Sequence, residues 1–190
     1  MTSSRPTQSK RMASFKILVQ RFDDTCDQAF DKLRGNPIAD RVFYSASSVA
    51  DFGLIWIFLG GVQGLTHRSA MKAAVRVAAC EFAQSALVNG MIKPLFKRER
   101  PLDDLPDDHA HPLPFRVPVT SSFPSGHGSA SFCAATLLAQ GSPAAPLYFA
   151  LAAVVASSRV YTKAHHASDV VGGVAIGLLL GQIAKRTWKL

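Results

Sequence analysis

Residues 123–129 read Phe-Pro-Ser-Gly-His-Gly-Ser, a short stretch that ends a polar segment and begins a helix. A proline and a glycine mark the end of the loop, and small and apolar residues follow at helical density over 130–139. A helix N-terminus attracts phosphate because its backbone N–H groups are unpaired and its dipole is positive there. Together with Ser125 and His127, the stretch predicts an anion site, although an ordinary serine-capped helix start fits the same residues.

The composition indicates a single membrane-embedded domain. The 190 residues are 48% hydrophobic and only 18% charged, which is apolar for a chain of this length. A net charge of +8 is compatible with nucleic acid, anionic lipid or an anionic substrate. The basic residues flank apolar segments and form no stripe interleaved with aromatic residues, so no nucleic-acid partner is expected.

The N-terminal part differs from the rest of the chain. Residues 1–13 are rich in Ser, Thr and basic residues and are expected to be disordered. Residues 14–35 alternate apolar and charged positions at helical spacing, which predicts an amphipathic helix that ends near Gly35. This helix either lies at the membrane interface, packs on the bundle, or pairs with a second copy to form a homo-oligomer. Residues 36–190 then form the membrane-embedded domain.

Five apolar segments follow, which predicts an all-α, multi-pass transmembrane bundle of about five spanning helices: 42–65, 70–92, 128–141, 144–157 and 169–185. Asp51 and Glu81 fall inside the first two segments. Each would cost on the order of 3 kcal/mol facing lipid, so both are expected to face the bundle interior. The last segment carries Gly173, Gly177 and Gly181, whose spacing of four predicts a smooth face for close helix packing.

The segment 93–122 is polar and contains six prolines, so it is not a spanning element. Its acidic residues and histidines between 103 and 111 suggest a metal site, but they lack a fixed ligand spacing, and a solvated loop is the favoured interpretation.

Three polar clusters abut the ends of the predicted helices: 93–101, 124–127 and 158–169. An even number of membrane crossings separates them, so all three reach the same membrane face and one shared site is expected. His165 and Asp169 are four residues apart, which allows the carboxylate to hold one imidazole nitrogen and leave the other as a nucleophile, a base or a metal ligand.

Positive charge favours phosphate over a metal ion at this site. Lys93, Arg100 and Arg159 all belong to the clusters, and they would repel a metal cation. Three cations and a helix N-terminus suit a tetrahedral oxyanion.

These clusters resemble a known three-part signature. Lys93-x6-Arg100-Pro101, Pro124-Ser125-Gly126-His127 and Ser158-Arg159-x5-His165-x3-Asp169 match, in order and spacing, the motifs of the type 2 phosphatidic acid phosphatase superfamily. That superfamily includes membrane lipid phosphatases, polyprenyl-diphosphate phosphatases and vanadium haloperoxidases. The resemblance covers about residues 80 to 180 and implies a phosphatidic acid phosphatase/vanadium haloperoxidase-like core.

The resemblance also implies roles for individual residues. His165 would attack phosphorus to give a phosphohistidine, and Asp169 would orient it. His127 would protonate the leaving oxygen and then activate the hydrolytic water. The implied phosphate-binding residues are Lys93, Arg100, Ser125, Gly126 and Arg159. The scheme requires no metal or other cofactor. Adjacent His166 is a weaker candidate for the nucleophile, because it lies three rather than four residues from Asp169.

The implied function is hydrolysis of a lipid phosphomonoester or diphosphate drawn from the bilayer. Candidate substrates are isoprenoid or polyprenyl phosphates, a polyprenyl-linked phosphosugar, phosphatidate and phosphatidylglycerophosphate. A vanadium haloperoxidase-like oxidoreductase and a lipid phosphotransferase are the alternatives. Membrane members commonly have six spans, whereas here an amphipathic helix replaces the first, which puts the N-terminus on the active-site face. Of the 21 lysines and arginines, fifteen fall on that face, which predicts a cytoplasmic site in the cell membrane.

Overall fold

The computed structural model describes residues 8–65, 68–104 and 119–188, and these residues form helices and turns only. The main helices are α1 (Gln8–Asp31), α2 (Pro37–Val49), α3 (Leu54–Gly64), α4 (Arg68–Ser85), α5 (Gly126–Leu138), α6 (Ala145–Tyr161) and α7 (Ala167–Thr187). The all-α prediction is therefore confirmed for the described residues. The predicted metal-site stretch, 103–111, lies outside the described side chains.

Helix α1 begins at Gln8, six residues before the predicted start, so residues 8–13 are helical rather than part of a disordered tail. It packs against α6 and α7, and Cys26 and Phe30 contact their apolar side chains. Its other side leaves Phe15, Leu18 and Phe22 exposed, at 66%, 65% and 44%. Helix α1 thus has one face on the bundle and one apolar face directed outward.

The first predicted spanning helix is not continuous. Helices α2 and α3 are separated by a short 3-10 turn at Asp51–Gly53 and are bent by 60° at this break. Phe52 and Gly53 have φ values of 58° and 71°, which a continuous helix does not allow. A Cβ at Gly53 would lie only 2.9 Å from Glu81 Oε2, so glycine allows both the turn and the approach of α4. The expectation of one continuous helix over 42–65 was wrong, because the contact between Gly53 and Glu81 accompanies a 60° bend of the chain that hydropathy does not indicate.

The second predicted segment forms α4 and a π-helical continuation, Ala86–Ile92, that ends at Lys93. Arg76 of α4 is fully buried and donates to Gln140 Oε1 at 2.7 Å. The core lies between α3, α4, α5 and α6, and its fully or nearly buried side chains include Trp56, Val77, Leu137, Leu138 and Val155.

Helices α5 and α7 pack closely because α7 presents glycines to the backbone of α5. A Cβ on Gly173 would lie 2.4 Å from Ser125 O, and one on Gly177 would lie 2.2 Å from Ser129 O. Both distances are far below van der Waals contact, so the predicted smooth face of α7 is confirmed. The close approach places the N-terminus of α5 beside the first turn of α7.

Length and composition identify fewer membrane spans than predicted. Within the described residues, α7 alone is long and apolar enough to cross a bilayer. The bent pair α2–α3 meets the same criterion when taken together, and α6 is apolar but shorter. The count of five spans therefore stays a prediction.

Candidate active site

A cavity of about 330 Å³ opens where the ends of α4, α5 and α6 meet the break between α2 and α3. Residues from all three predicted clusters line it: Lys93, Gly126, His127, Arg159 and His165. A second part of its wall is formed by polar side chains of the α2–α3 break and of α4 with its continuation: Asp51, Glu81, Gln84, Ser85 and Asn89. The structure thus brings together, as expected, cluster residues that are up to 72 positions apart in sequence, from Lys93 to His165.

The N-terminus of α5 forms one side of the cavity. Ser125 Oγ accepts a hydrogen bond from Gly128 N at 3.2 Å and so caps the helix. Its backbone N–H donates to Asp169 O at 3.0 Å, which ties α5 to α7. A Cβ on Gly126 would lie 3.9 Å from Lys93 Nζ, so the bare backbone of this residue faces the ammonium group.

Lys93 is the cation next to that N-terminus. Its Nζ donates to Thr120 Oγ1 at 3.3 Å, and its side chain is almost fully buried. Burial, together with the charges of Arg100 and Arg159, lowers the pKa of Lys93 to about 8. The positive groups therefore repel one another, and an anion bound between them would relieve that repulsion.

Arg159 and Arg100 occupy different positions relative to the cavity. Arg159 lies on the cavity wall, and its Nη1 donates to Ser47 Oγ of α2. Arg100 is buried behind the wall, where it donates to Thr120 O at 2.9 Å and to Ala164 O. Ser125 is also fully buried and is not a wall residue. Contact of Arg100 and Ser125 with a phosphoryl group therefore stays a prediction.

His165 is buried, and its two nitrogens have different partners. Nε2 lies 3.2 Å from Arg100 Nη1. Nδ1 lies 3.5 Å from Ser122 Oγ, and Ser122 Oγ donates to Asp169 Oδ2 at 2.5 Å. The direct distance from Nδ1 to Asp169 Oδ2 is 3.9 Å, too long for a hydrogen bond. Ser122 therefore bridges the predicted pair, and this network assigns the proton to Nδ1 and the lone pair to Nε2.

The surroundings of His165 keep it neutral. Burial, followed by the charges of Arg100, Arg159 and Lys93, holds its pKa well below the usual range. An imidazole that is neutral at physiological pH keeps the lone pair that a nucleophile needs, and in this site the lone pair of Nε2 faces Arg100 Nη1. Asp169 is fully buried as well, and it also accepts from His166 N at 2.9 Å, which caps the first turn of α7.

His127 stands across the cavity with a carboxylate beside it. His127 Nε2 lies 3.1 Å from Asp51 Oδ1, and Asp51 occupies the break between α2 and α3. The expectation that Asp51 and Glu81 face the interior is confirmed, since both line the cavity. His166, the alternative nucleophile, lines a different cavity that also borders Asp23 of α1.

Several residues around the site were not identified from sequence. Ser122 lies beside His165, Ser47 holds Arg159, and Arg98 pairs with Asp169 at 2.6 Å. Ser47 and Ser122 are ordinary serines of a helix and a loop, so no spacing distinguishes them. Arg98 lies inside the first cluster, and its position between Lys93 and Arg100 was the one available signal.

Comparison with known proteins identifies relatives whose similarity covers the residues of the cavity from α4 onward. A family model described as "PAP2 superfamily" matches residues 70–189. The decaprenylphosphoryl-5-phosphoribose phosphatase of Mycobacterium tuberculosis is 36% identical over 93 residues, which are 49% of this chain and 49% of that protein. The lipid A 1-phosphatase of Porphyromonas gingivalis is 32% identical over 131 residues, which are 64% of this chain and 26% of that protein. The chain thus spans about half the length, or less, of these relatives.

A solved structure shares the fold. It is described as the first transmembrane PAP2 type phosphatidylglycerolphosphate phosphatase from Bacillus subtilis, and it aligns with a TM-score of 0.64 over 89% of this chain and 85% of that one. The sequences are 22% identical, so the likeness is one of fold.

Proposed function

The chain belongs to the PAP2 superfamily, as its three motifs indicated, and from that premise we propose that it is an integral membrane lipid phosphatase. The substrate is a lipid phosphomonoester or diphosphate. The single observation that carries this proposal is a cavity in which a neutral, buried His165 stands among cations at a helix N-terminus. Such a site binds a tetrahedral anion and holds a nucleophile against it.

Phosphate binding follows from the charges of the wall. Lys93 and Arg159 neutralise the phosphoryl oxygens, and the Gly126 backbone and the start of α5 supply further N–H donors. Arg100 and Ser125, which belong to the same motifs, are proposed to complete the phosphate site. These groups also stabilise the charge that develops as the transition state forms.

The reaction proceeds in two steps. His165 Nε2 attacks phosphorus, the bond from phosphorus to the leaving oxygen breaks, and His127 gives that oxygen a proton. His127 then takes a proton from water, whose oxygen attacks the phosphohistidine and releases inorganic phosphate and free His165. Burial and the charge of Arg159 lower the pKa of His127 to about 4, and Asp51, whose Oδ1 lies 3.1 Å from His127 Nε2, opposes that shift and so supports the protonated form that the first step requires. Asp169 holds the Nδ1 side of His165 through Ser122.

The polar wall favours a substrate with a hydroxylated head group. Asp51, Glu81 and Asn89 offer side-chain oxygens that accept hydrogen bonds from hydroxyls. A polyprenyl-linked phosphosugar or phosphatidylglycerophosphate fits this wall better than phosphatidate or a plain isoprenoid phosphate. The name of the mycobacterial relative, which includes a phosphoribose, agrees with this choice.

The protein crosses the cell membrane several times, with the active site and the N-terminus on the cytoplasmic face. Two observations support this placement: α1 contacts the loop that carries His165, and the basic residues concentrate on that face. A cysteine placed at Ser4, in a variant whose native cysteines are serines, tests it in intact cells. We expect labelling by a membrane-impermeant maleimide only after permeabilisation, and labelling of intact cells would overturn the orientation.

Phosphate release from a panel of lipid phosphates in detergent, with EDTA present, tests the activity. We expect turnover that EDTA leaves unchanged, abolished in His165→Ala and largely retained in the matched control His166→Ala. Activity that EDTA removes, or that survives His165→Ala, would refute the mechanism. Transfer of phosphate to added glycerol would identify a phosphotransferase instead.

A further inference from the structure

Helix α1 lies across the loop that carries His165 and contacts it on both sides. Asp23 and Asp27 are four residues apart, so they project from the same face of α1. Asp27 Oδ2 accepts from Lys163 Nζ at 2.8 Å, two residues before His165. Asp23 accepts from the N–H and Oγ of Ser168 at 2.7 and 2.8 Å, three residues after it. The two carboxylates therefore bracket the histidine.

The loop needs such contacts to keep its shape. Lys163 has a φ of 54°, in the left-handed region that residues other than glycine rarely adopt. Backbone in a sparsely populated conformation persists where surrounding contacts hold it. Partial burial raises the pKa of Asp27, but the hydrogen bonds and charges of Lys163 and Arg34 together outweigh it and lower the pKa. Asp27 therefore remains a carboxylate and keeps its ion pair with the loop.

Asp23 also acts on Asp169 through a shared arginine. Arg98 Nη2 lies 2.6 Å from Asp23 Oδ2, and Arg98 Nη1 lies 2.6 Å from Asp169 Oδ1. The side chains of Asp23 and Asp169 are 2% and 0% exposed, so the guanidinium is the charge that both buried carboxylates share. Removing one partner of such a buried set leaves the other charges poorly compensated.

The contacts continue from Asp169 to the nucleophile. Its second oxygen accepts from Ser122 Oγ, which lies 3.5 Å from His165 Nδ1. The orientation of His165 therefore depends on Asp169. The orientation of Asp169 depends in turn on Arg98, which pairs with Asp23 of α1.

We propose that α1 is a clamp on the catalytic loop and that Asp23 is a positioning residue, acting through Arg98 and Ser168 on Asp169 and so on His165. Asp23 lies outside residues 70–189, the part of the chain that matches the family. The clamp rests on the proposed function, because its effect is read as phosphate release. Helix α1 places His165 without touching substrate.

The test compares Asp23→Asn with its neighbour Asp24→Asn, whose side chain is exposed and contacts Gln20 of its own helix. A displacement near 1 Å at a reacting group costs up to about a hundredfold in rate. We expect Asp23→Asn to lower kcat about 10- to 100-fold with KM and inhibition by inorganic phosphate within about twofold, because Lys93 and Arg159 are unchanged. Asp24→Asn should keep kcat within about twofold, and Asp23→Glu should restore part of the loss.

A second measurement does not depend on activity. Hydrogen exchange of the peptide spanning 160–170 should be faster in Asp23→Asn than in Asp24→Asn, in samples with matching thermal unfolding. Equal exchange in the two variants, or an unchanged kcat in Asp23→Asn, refutes the clamp. Loss of inorganic phosphate binding in step with kcat refutes it too, since that indicates general disruption of the site. An unaltered chain that releases no phosphate refutes the proposed function instead, and the exchange comparison then decides the clamp alone.

Discussion

The charge of Lys93 should set the alkaline limit of activity. The pKa of this ammonium is lowered to about 8 by burial and by two neighbouring arginines. Lys93 is therefore charged below pH 8 and loses its proton as the pH rises through that value. If the charged form binds the phosphoryl oxygens, kcat/KM falls as the neutral form accumulates, because this parameter reports the ionisation of the free enzyme.

The size of the effect follows from the pKa. At pH 9 only about one molecule in eleven keeps the charge, so kcat/KM should be about tenfold below its plateau, and roughly a hundredfold below it at pH 10. Lys93→Arg should remove this limb, since a guanidinium stays charged throughout that range. The plateau of kcat/KM in Lys93→Arg is expected to be lower than in the wild type, because the planar guanidinium fits poorly in the space of an ammonium group. The readout is therefore the shape of the pH profile and not its height.

The assay is phosphate release from a substrate whose own second ionisation is complete below pH 7, in a detergent of constant composition. Lys97→Arg is the matched control, because Lys97 is an exposed lysine four residues away, and it should keep the alkaline limb. A wild-type profile that stays flat to pH 10 would refute the reasoning. So would an alkaline limb that persists in Lys93→Arg.

Three further substitutions test other parts of the account. Ser122→Ala should lower kcat about tenfold or more with little change in KM, because Asp169 then loses its bridge to His165, and an unchanged kcat would contradict the bridge. Asp51→Asn should slow hydrolysis of an alkyl phosphate about tenfold but that of p-nitrophenyl phosphate less than threefold, because a good leaving group needs little protonation. Equal losses with the two substrates would argue against a role of Asp51 in proton transfer by His127. Gly177→Ala should lower the free energy of unfolding by about 1–3 kcal/mol, because its Cβ would overlap Ser129 O. Gly61→Ala is the control and should leave that free energy unchanged, since the space around Gly61 is open. Chemical unfolding of both variants measures the difference, and equal stabilities would contradict the close packing of α5 and α7.

The sequence was sufficient to predict the last three helices and the meeting of the three clusters. Helical periodicity and loop residues located α5, α6 and α7 to within a few residues, and counting membrane crossings brought Lys93, His127 and His165 to one face. The first inference relies on local residue patterns and the second on whether the number of membrane crossings is even or odd. Both can be read from the sequence alone. The glycines of α7 belong to the same class, since their spacing alone indicated a close packing face.

The break between α2 and α3 could not be predicted in this way. The segment 42–65 is apolar throughout apart from Asp51, and hydropathy does not distinguish a straight span from a bent one. What distinguishes this break is tertiary: Glu81 fills the space beside Gly53, and Asp51 points at His127. Such contacts join residues about 30 or more positions apart and leave no local signal.

The second layer of the site was missed for the same reason. Asp23 and Ser168 are 145 residues apart, and Ser122 and Asp169 are 47 apart. Asp23 is one of the charged positions of the amphipathic helix predicted over 14–35, where a solvated carboxylate is the common outcome. Only the packing of α1 on α7 shows that this carboxylate is buried against Arg98.

The most direct test of the central claim is the identity of the phosphorylated residue. His127→Ala should react with ³²P-labelled p-nitrophenyl phosphate, whose leaving group needs no proton, but should then hydrolyse the intermediate slowly. The account predicts a burst of one equivalent of nitrophenol and an alkali-stable, acid-labile label on His165, absent when His165→Ala is combined with it. A burst without label on His165, or a label that persists in the double variant, would contradict the account.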